Sequence, residues 1–143
     1  MKLYVKPNKS LRENAVLSLP SMYDRFMSHK VRVLNHPRLK DQLHRMRLTG
    51  KPLRYAMEIF ETTFNKGYGK SFEQVKDLIE SMGRVHDRDI MISQLVDFMQ
   101  EIQLYNRTCT SREAKFSLSG LHRLIRQQRE QRASELSFTA WEC

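Results

Sequence analysis

The stretch Leu43-His44-Arg45-Met46-Arg47-Leu48-Thr49-Gly50-Lys51-Pro52-Leu53-Arg54-Tyr55-Ala56-Met57-Glu58 has the spacing of a helix with two distinct edges. At about 100° per residue, Lys40, His44, Arg47, Lys51 and Arg54 fall within an arc of roughly 80° and form one cationic line. On one flank lies an apolar band of Leu39, Leu43, Met46, Leu53, Met57 and Phe60. On the other lie Leu48, Tyr55 and Ile59. A solvated charged face normally sits opposite the apolar band of a helix. Here the cations sit between two edges that favour burial, which predicts a partly enclosed groove. Like charges at i, i+3 and i+4 repel. Glu58 is the only acid on the line, so an external anion is needed to neutralise it. Arginine's planar fork matches phosphate oxygens, and histidine adds a donor whose charge responds to pH near neutrality.

The same three- and four-residue apolar spacing runs through almost the whole chain, with no strict alternation, and predicts an all-α fold. A first helix is expected from an N-cap at Ser10 toward Arg32, with a kink or break at Pro20. Residues 1–9 read as a loose basic arm. Asn35-His36-Pro37 reads as a stop and restart, and the second helix is expected to run to about Phe64, ended by Gly67 and Gly69. Ser71 with Gln74 resembles a capping box for a third helix carrying Phe72, Val75, Leu78, Ile79 and Met82. Gly83 and the charged run from Arg84 to Asp89 interrupt that stripe, and a fourth segment carries Ile90, Leu95, Phe98, Met99 and Ile102. The pattern leaves open whether segments three and four are one bent helix. A polar loop at 106–117 precedes a last helix, roughly 117–140, with Leu118, Leu121, Ile125 and Leu136 on one side.

Charge narrows the partners. The chain has 143 residues, the length of one domain, and a net charge of +9. Residues 1–55 carry 13 Lys and Arg against 3 acids, whereas residues 56–106 carry 5 against 9. A chain of this kind attracts nucleic acid, anionic lipid or phosphate chains. Cys109 and Cys143 have no metal or redox spacing, so a reduced, cytoplasmic protein is expected. No apolar run has the length of a membrane span and no signal-peptide core is present, so neither export nor insertion is expected.

Two further clusters carry chemistry. In Gly83-Arg84-Val85-His86-Asp87-Arg88-Asp89, Asp87 reads best as the N-cap of the next helix. His86 is a candidate member of a site shared with the cationic line. His122, Arg126 and Arg129 align at i, i+4 and i+7 as a second basic wall, although an exposed amphipathic helix explains them equally well. No metal-ligand spacing, nucleophile elbow, phosphate-binding glycine loop or carboxylate pair occurs, so no metal, cofactor or catalytic role is expected.

The first stretch resembles the signature helix of the CHAD (conserved histidine α-helical domain) family, whose pattern is similar to LHxxRxxxKxLRYxxE. The match falls on His44, Arg47, Lys51, Arg54 and Tyr55. Met82-Gly83-Arg84-Val85-His86-Asp87-Arg88-Asp89 resembles the family's LGxxHDxDV element, and the two together span roughly residues 38–105. The resemblance implies antiparallel helical bundles of about four to five helices and non-catalytic binding of inorganic polyphosphate along a basic channel. It also implies localisation to polyphosphate granules. His44, Arg47, Lys51, Arg54, Lys40, His86 and Tyr55 would then form the site. Family members commonly have two related halves, and this chain matches one. That points to a homodimer rebuilding the two-half arrangement. Pro52 inside the signature helix and Arg88 in the second element depart from the pattern. A nucleic-acid-binding helical protein is the main alternative on charge alone, and a phosphoanhydride-processing enzyme the lesser one.

Overall fold

The computed structural model describes residues 5–35, 40–64 and 66–137. His36 and Pro37, expected to restart the second helix, lie outside these residues, as do residues 1–4. Among the described residues five α-helices follow one another: α1 (Leu11–Met27), α2 (Lys30–Asn35), α3 (Lys40–Phe60), α4 (Lys66–Thr108) and α5 (Ser119–Leu136). Among the described residues there is no strand. α3 packs between α1 and α4, and α5 packs back along α4.

α1 begins where its sequence dictates. Ser10 Oγ accepts from the Glu13 amide, and the Glu13 carboxylate accepts from the Ser10 amide at 2.8 Å. Those bonds, led by the backbone amide, hold the Glu13 carboxyl below its ordinary range. Residues leading into the helix are tied down as well. Buried Asn14 accepts from the Lys6 amide at 2.7 Å and donates to the carbonyls of Lys6, Lys9 and Ser10.

Pro20 does not break the helix. It lies inside α1 on an exposed face, as does Val16, whose carbonyl would have taken the missing amide. The proline ring thus sits on the solvent side of α1, and the helix continues through it. The interruption falls instead at Ser28 and His29, before α2.

α3 ends close to expectation, at Phe60, followed by a short 3-10 turn over Glu61–Thr63. The next boundaries differ from the sequence reading. Gly67 and Gly69 do not terminate a helix but lie in the first turns of α4, and Ser71 is interior rather than a cap. Expected segments three and four are a single 43-residue helix that runs through Gly83 and the charged run without interruption. Asp87 is therefore mid-helix and caps nothing. A glycine in a helix costs only about 1 kcal/mol. Burial of Phe72, Val75, Leu78, Ile79, Met82 and Val85 in one core outweighs it.

The corner between α3 and α4 is held by Tyr68, which stacks on Phe64 with centroids 4.6 Å apart and donates to the Met57 carbonyl at 2.8 Å. Burial, with the Glu61 charge adding to it, pushes the Tyr68 hydroxyl up to about 12. Gly50 marks the closest approach of α3 to its neighbours. A Cβ there would lie 2.9 Å from both Phe26 Cε2 of α1 and Ile79 Cγ1 of α4. At the far end, the side chain of Asn106 brackets the connection before α5. It accepts from the Phe116 amide at 2.8 Å and donates to the Phe116 carbonyl at 2.9 Å.

Candidate polyanion site

The buried face of α3 is Leu43, Met46, Gly50, Leu53, Ala56, Met57 and Phe60. Each cation of the line follows a buried residue by one position: His44 after Leu43, Arg47 after Met46, Lys51 after Gly50, Arg54 after Leu53. This register places the cations about 100° from the core, at the seam where α4 meets α3. Arg47, Lys51 and Arg54 are half-buried, and His44 and Lys40 are exposed.

α4 supplies the opposite wall. A cavity of about 340 Å³ opens between the helices, lined by Arg47, Lys51, Arg54 and Tyr55 from α3 and by Ile79, Glu80, Gly83, Arg84 and Asp87 from α4. Gly83 faces Arg47, whose Nε lies 3.9 Å from where a Cβ would stand. The Arg54 guanidinium lies 5.7 Å from the centroid of Tyr55 and 3.8 Å from the Glu80 carboxylate. Arg84 is paired with Glu135 of α5 at 2.8 Å. Arg47 and Lys51 take part in no ion pair among the described residues. The lining thus holds four cations and two acids, with the central pair uncompensated.

Beyond the cavity, His44 of α3 and His86 of α4 come together, with ring centroids 5.2 Å apart. Lys40 is turned toward a different task. Its Nζ lies 3.9 Å from Asp89, a carboxylate only 6% exposed that also accepts from Arg132 Nε at 2.6 Å and Nη2 at 3.2 Å. Those three residues join α3, α4 and α5.

His122, Arg126 and Arg129 are exposed on α5, and none of them lines the cavity. Sequence reasoning missed Ile79, Glu80, Arg84 and Arg132, since nothing in a single helix pattern says which charges of α4 and α5 turn toward a neighbour. The second apolar edge, expected to seek burial, is open in the single chain: Leu48, Tyr55 and Ile59 are each more than half exposed. The groove is therefore walled on the α4 side only.

Among the described residues no group of three or more His, Cys, Asp or Glu could hold a metal ion. No helix among them is long and apolar enough to cross a membrane.

Fold and site together define an all-helical bundle with a cationic line set into a seam between two helices. The chain belongs to the CHAD family: the pattern of the CHAD domain matches residues 5–96. That span contains α1 to α3 and every residue that lines the cavity, and it stops short of α5. No curated protein and no solved structure matches the chain.

Proposed function

We propose that this chain binds inorganic polyphosphate along the α3/α4 cavity without transforming it, as a cytoplasmic protein associated with polyphosphate granules. The observation that carries the reading is the placement of Arg47 and Lys51. They stand one turn apart on an open cavity, and neither takes part in an ion pair among the described residues. Two neighbouring cations so placed destabilise their helix unless an anion lies between them. Arg54 extends the line by a further turn, and Tyr55 and the His44–His86 pair border it. A flexible phosphate chain presents successive charges to successive side chains without sequence readout. Membership of the CHAD family supports this ligand over other polyanions.

Nucleic acid is the competitor on charge. Binding to single strands relies on successive aromatic platforms. Among the described residues Tyr55 is the sole aromatic that lines the cavity. In competition at physiological salt, polyphosphate is expected to displace RNA at far lower phosphate concentration than RNA displaces polyphosphate. RNA binding as tightly, phosphate for phosphate, would overturn the reading. Affinity for either polymer falls steeply with salt, as expected of ion release.

A second copy of the chain completes the groove in this reading. The exposed Leu48, Tyr55 and Ile59 edge beside the cations is where it would pack. Sedimentation equilibrium at micromolar concentration should report a dimer, and a clean monomer would remove this part of the account.

A further inference from the structure

A second cavity, of about 210 Å³, lies on the other side of α4, in its seam with α5. It is lined by Arg84, Asp87, Arg88, Met91 and Gln128. Arg84 and Asp87 line both openings, so the two cavities adjoin at these residues of α4. Cations outnumber acids four to two in the first lining; in the second, Arg84 and Arg88 stand beside Asp87 and are backed by Glu135, which pairs with both, so the charges balance. The second site is built rather than incidental. Arg88 is held by Gln128 Oε1 at 3.0 Å and Gln131 Oε1 at 2.7 Å, with Glu135 3.9 Å away. Arg84, half exposed, is held from behind by Glu135.

We infer that the second cavity is a distal subsite for the same polyanion, reached only by a chain long enough to cross α4 at Gly83, Arg84 and Asp87. This rests on the proposed binding of polyphosphate at the first cavity. A short oligophosphate is satisfied by Arg47, Lys51 and Arg54, which lie within two turns of one helix. A longer chain continues past Arg84 to Arg88. Once its first phosphates are held, the later ones bind from a high effective concentration, so even a subsite with no net charge of its own adds affinity through its arginine donors. The crossing carries an opposing charge, Asp87, and the chain gains there only through Arg84. The subsite therefore acts as a length discriminator and not as an independent anion site.

Met91 offers a test that leaves both cavities' arginines in place. It lines only the second cavity and its side chain is nearly half exposed, so a charged replacement is tolerated by the fold. Calorimetric titrations of wild type, Met91→Glu and Met91→Arg with inorganic tripolyphosphate and with long-chain polyphosphate separate the cases. At physiological salt, charges are screened over about 8 Å. Met91→Glu should weaken long-chain binding about fivefold and Met91→Arg should strengthen it by a similar factor, the effect of one unit charge at contact distance in a high dielectric. Tripolyphosphate affinity should change less than about twofold. Long-chain affinity that stays constant across the three proteins, or shifts in parallel with tripolyphosphate, overturns the distal subsite while leaving the first cavity standing. Absence of polyphosphate binding in the wild type overturns both.

Discussion

Replacing Arg47, Lys51 and Arg54 together with Ala is expected to weaken long-chain polyphosphate binding at least about tenfold while the fold persists. A hydrogen bond to a charged group contributes about 1.5–3 kcal/mol. A factor of ten needs only about 1.4 kcal/mol, so loss of one well-made contact among the three suffices. Fold persistence follows from what the three side chains do in the free protein. Arg47 and Lys51 make no ion pair among the described residues, and Arg54 makes one exposed pair with Glu80. Such pairs are worth about 0–1 kcal/mol. Removing three mutually repelling charges from one helix line offsets part of that loss. Titration calorimetry beside a thermal melt checks both halves of the statement. Wild-type affinity in a folded triple variant would show that the ligand, if bound, lies elsewhere.

Arg132→Leu should have the largest effect on stability, about 3–5 kcal/mol, because it leaves a buried carboxylate without its principal partner. Asp89 is 6% exposed and receives two hydrogen bonds from Arg132; Lys40, at 3.9 Å and largely in solvent, is a poor replacement. For a chain of this size the midpoint of thermal unfolding should fall by about 10–17 °C. The consequence is concentrated on α5, whose one buried residue is Ile125. Leu136 packs against the core as well, and polar contacts add to the docking of α5: Ser81 with the Glu135 carbonyl, Arg84 with Glu135, Arg88 with two glutamines, and Arg132 with Asp89. Asp89→Leu combined with Arg132→Leu should recover much of the loss, since replacing both members of a buried pair costs far less than removing one. A single variant that melts like wild type would contradict the role given to Asp89.

The cationic line of α3 was legible because helical register is a local property. Once Leu43, Met46, Leu53, Met57 and Phe60 are assigned to the core, His44, Arg47, Lys51 and Arg54 must border it. Ser10 was legible as a cap for the same reason, since the bonds that make it a cap lie within four residues. The glycines misled. Gly67, Gly69 and Gly83 carry weak helix-breaking signals, and the burial that overrides them comes from α1 and α3, distant in sequence. Pro20 and Pro52 each sit within a continuous helix, so neither marks a helix boundary. Nor does a single helix reveal which edge finds a neighbour. The Leu48, Tyr55 and Ile59 edge has the composition of a buried one, yet it stays more than half exposed among the described residues. On α5, the regular spacing of His122, Arg126 and Arg129 drew attention to cations that lie in solvent. Arg132, which turns inward, is distinguished only by Asp89 opposite it.

The proposed phosphate chain lies in the cationic seam between α3 and α4. The most direct test is to titrate the protein with polyphosphate and follow backbone amide chemical shifts residue by residue. The largest changes are expected in α3 from His44 to Tyr55 and in α4 from Ile79 to Asp87, saturating together. Changes centred on His122, Arg126 and Arg129 with the seam unmoved, or no saturable change at all, would contradict it.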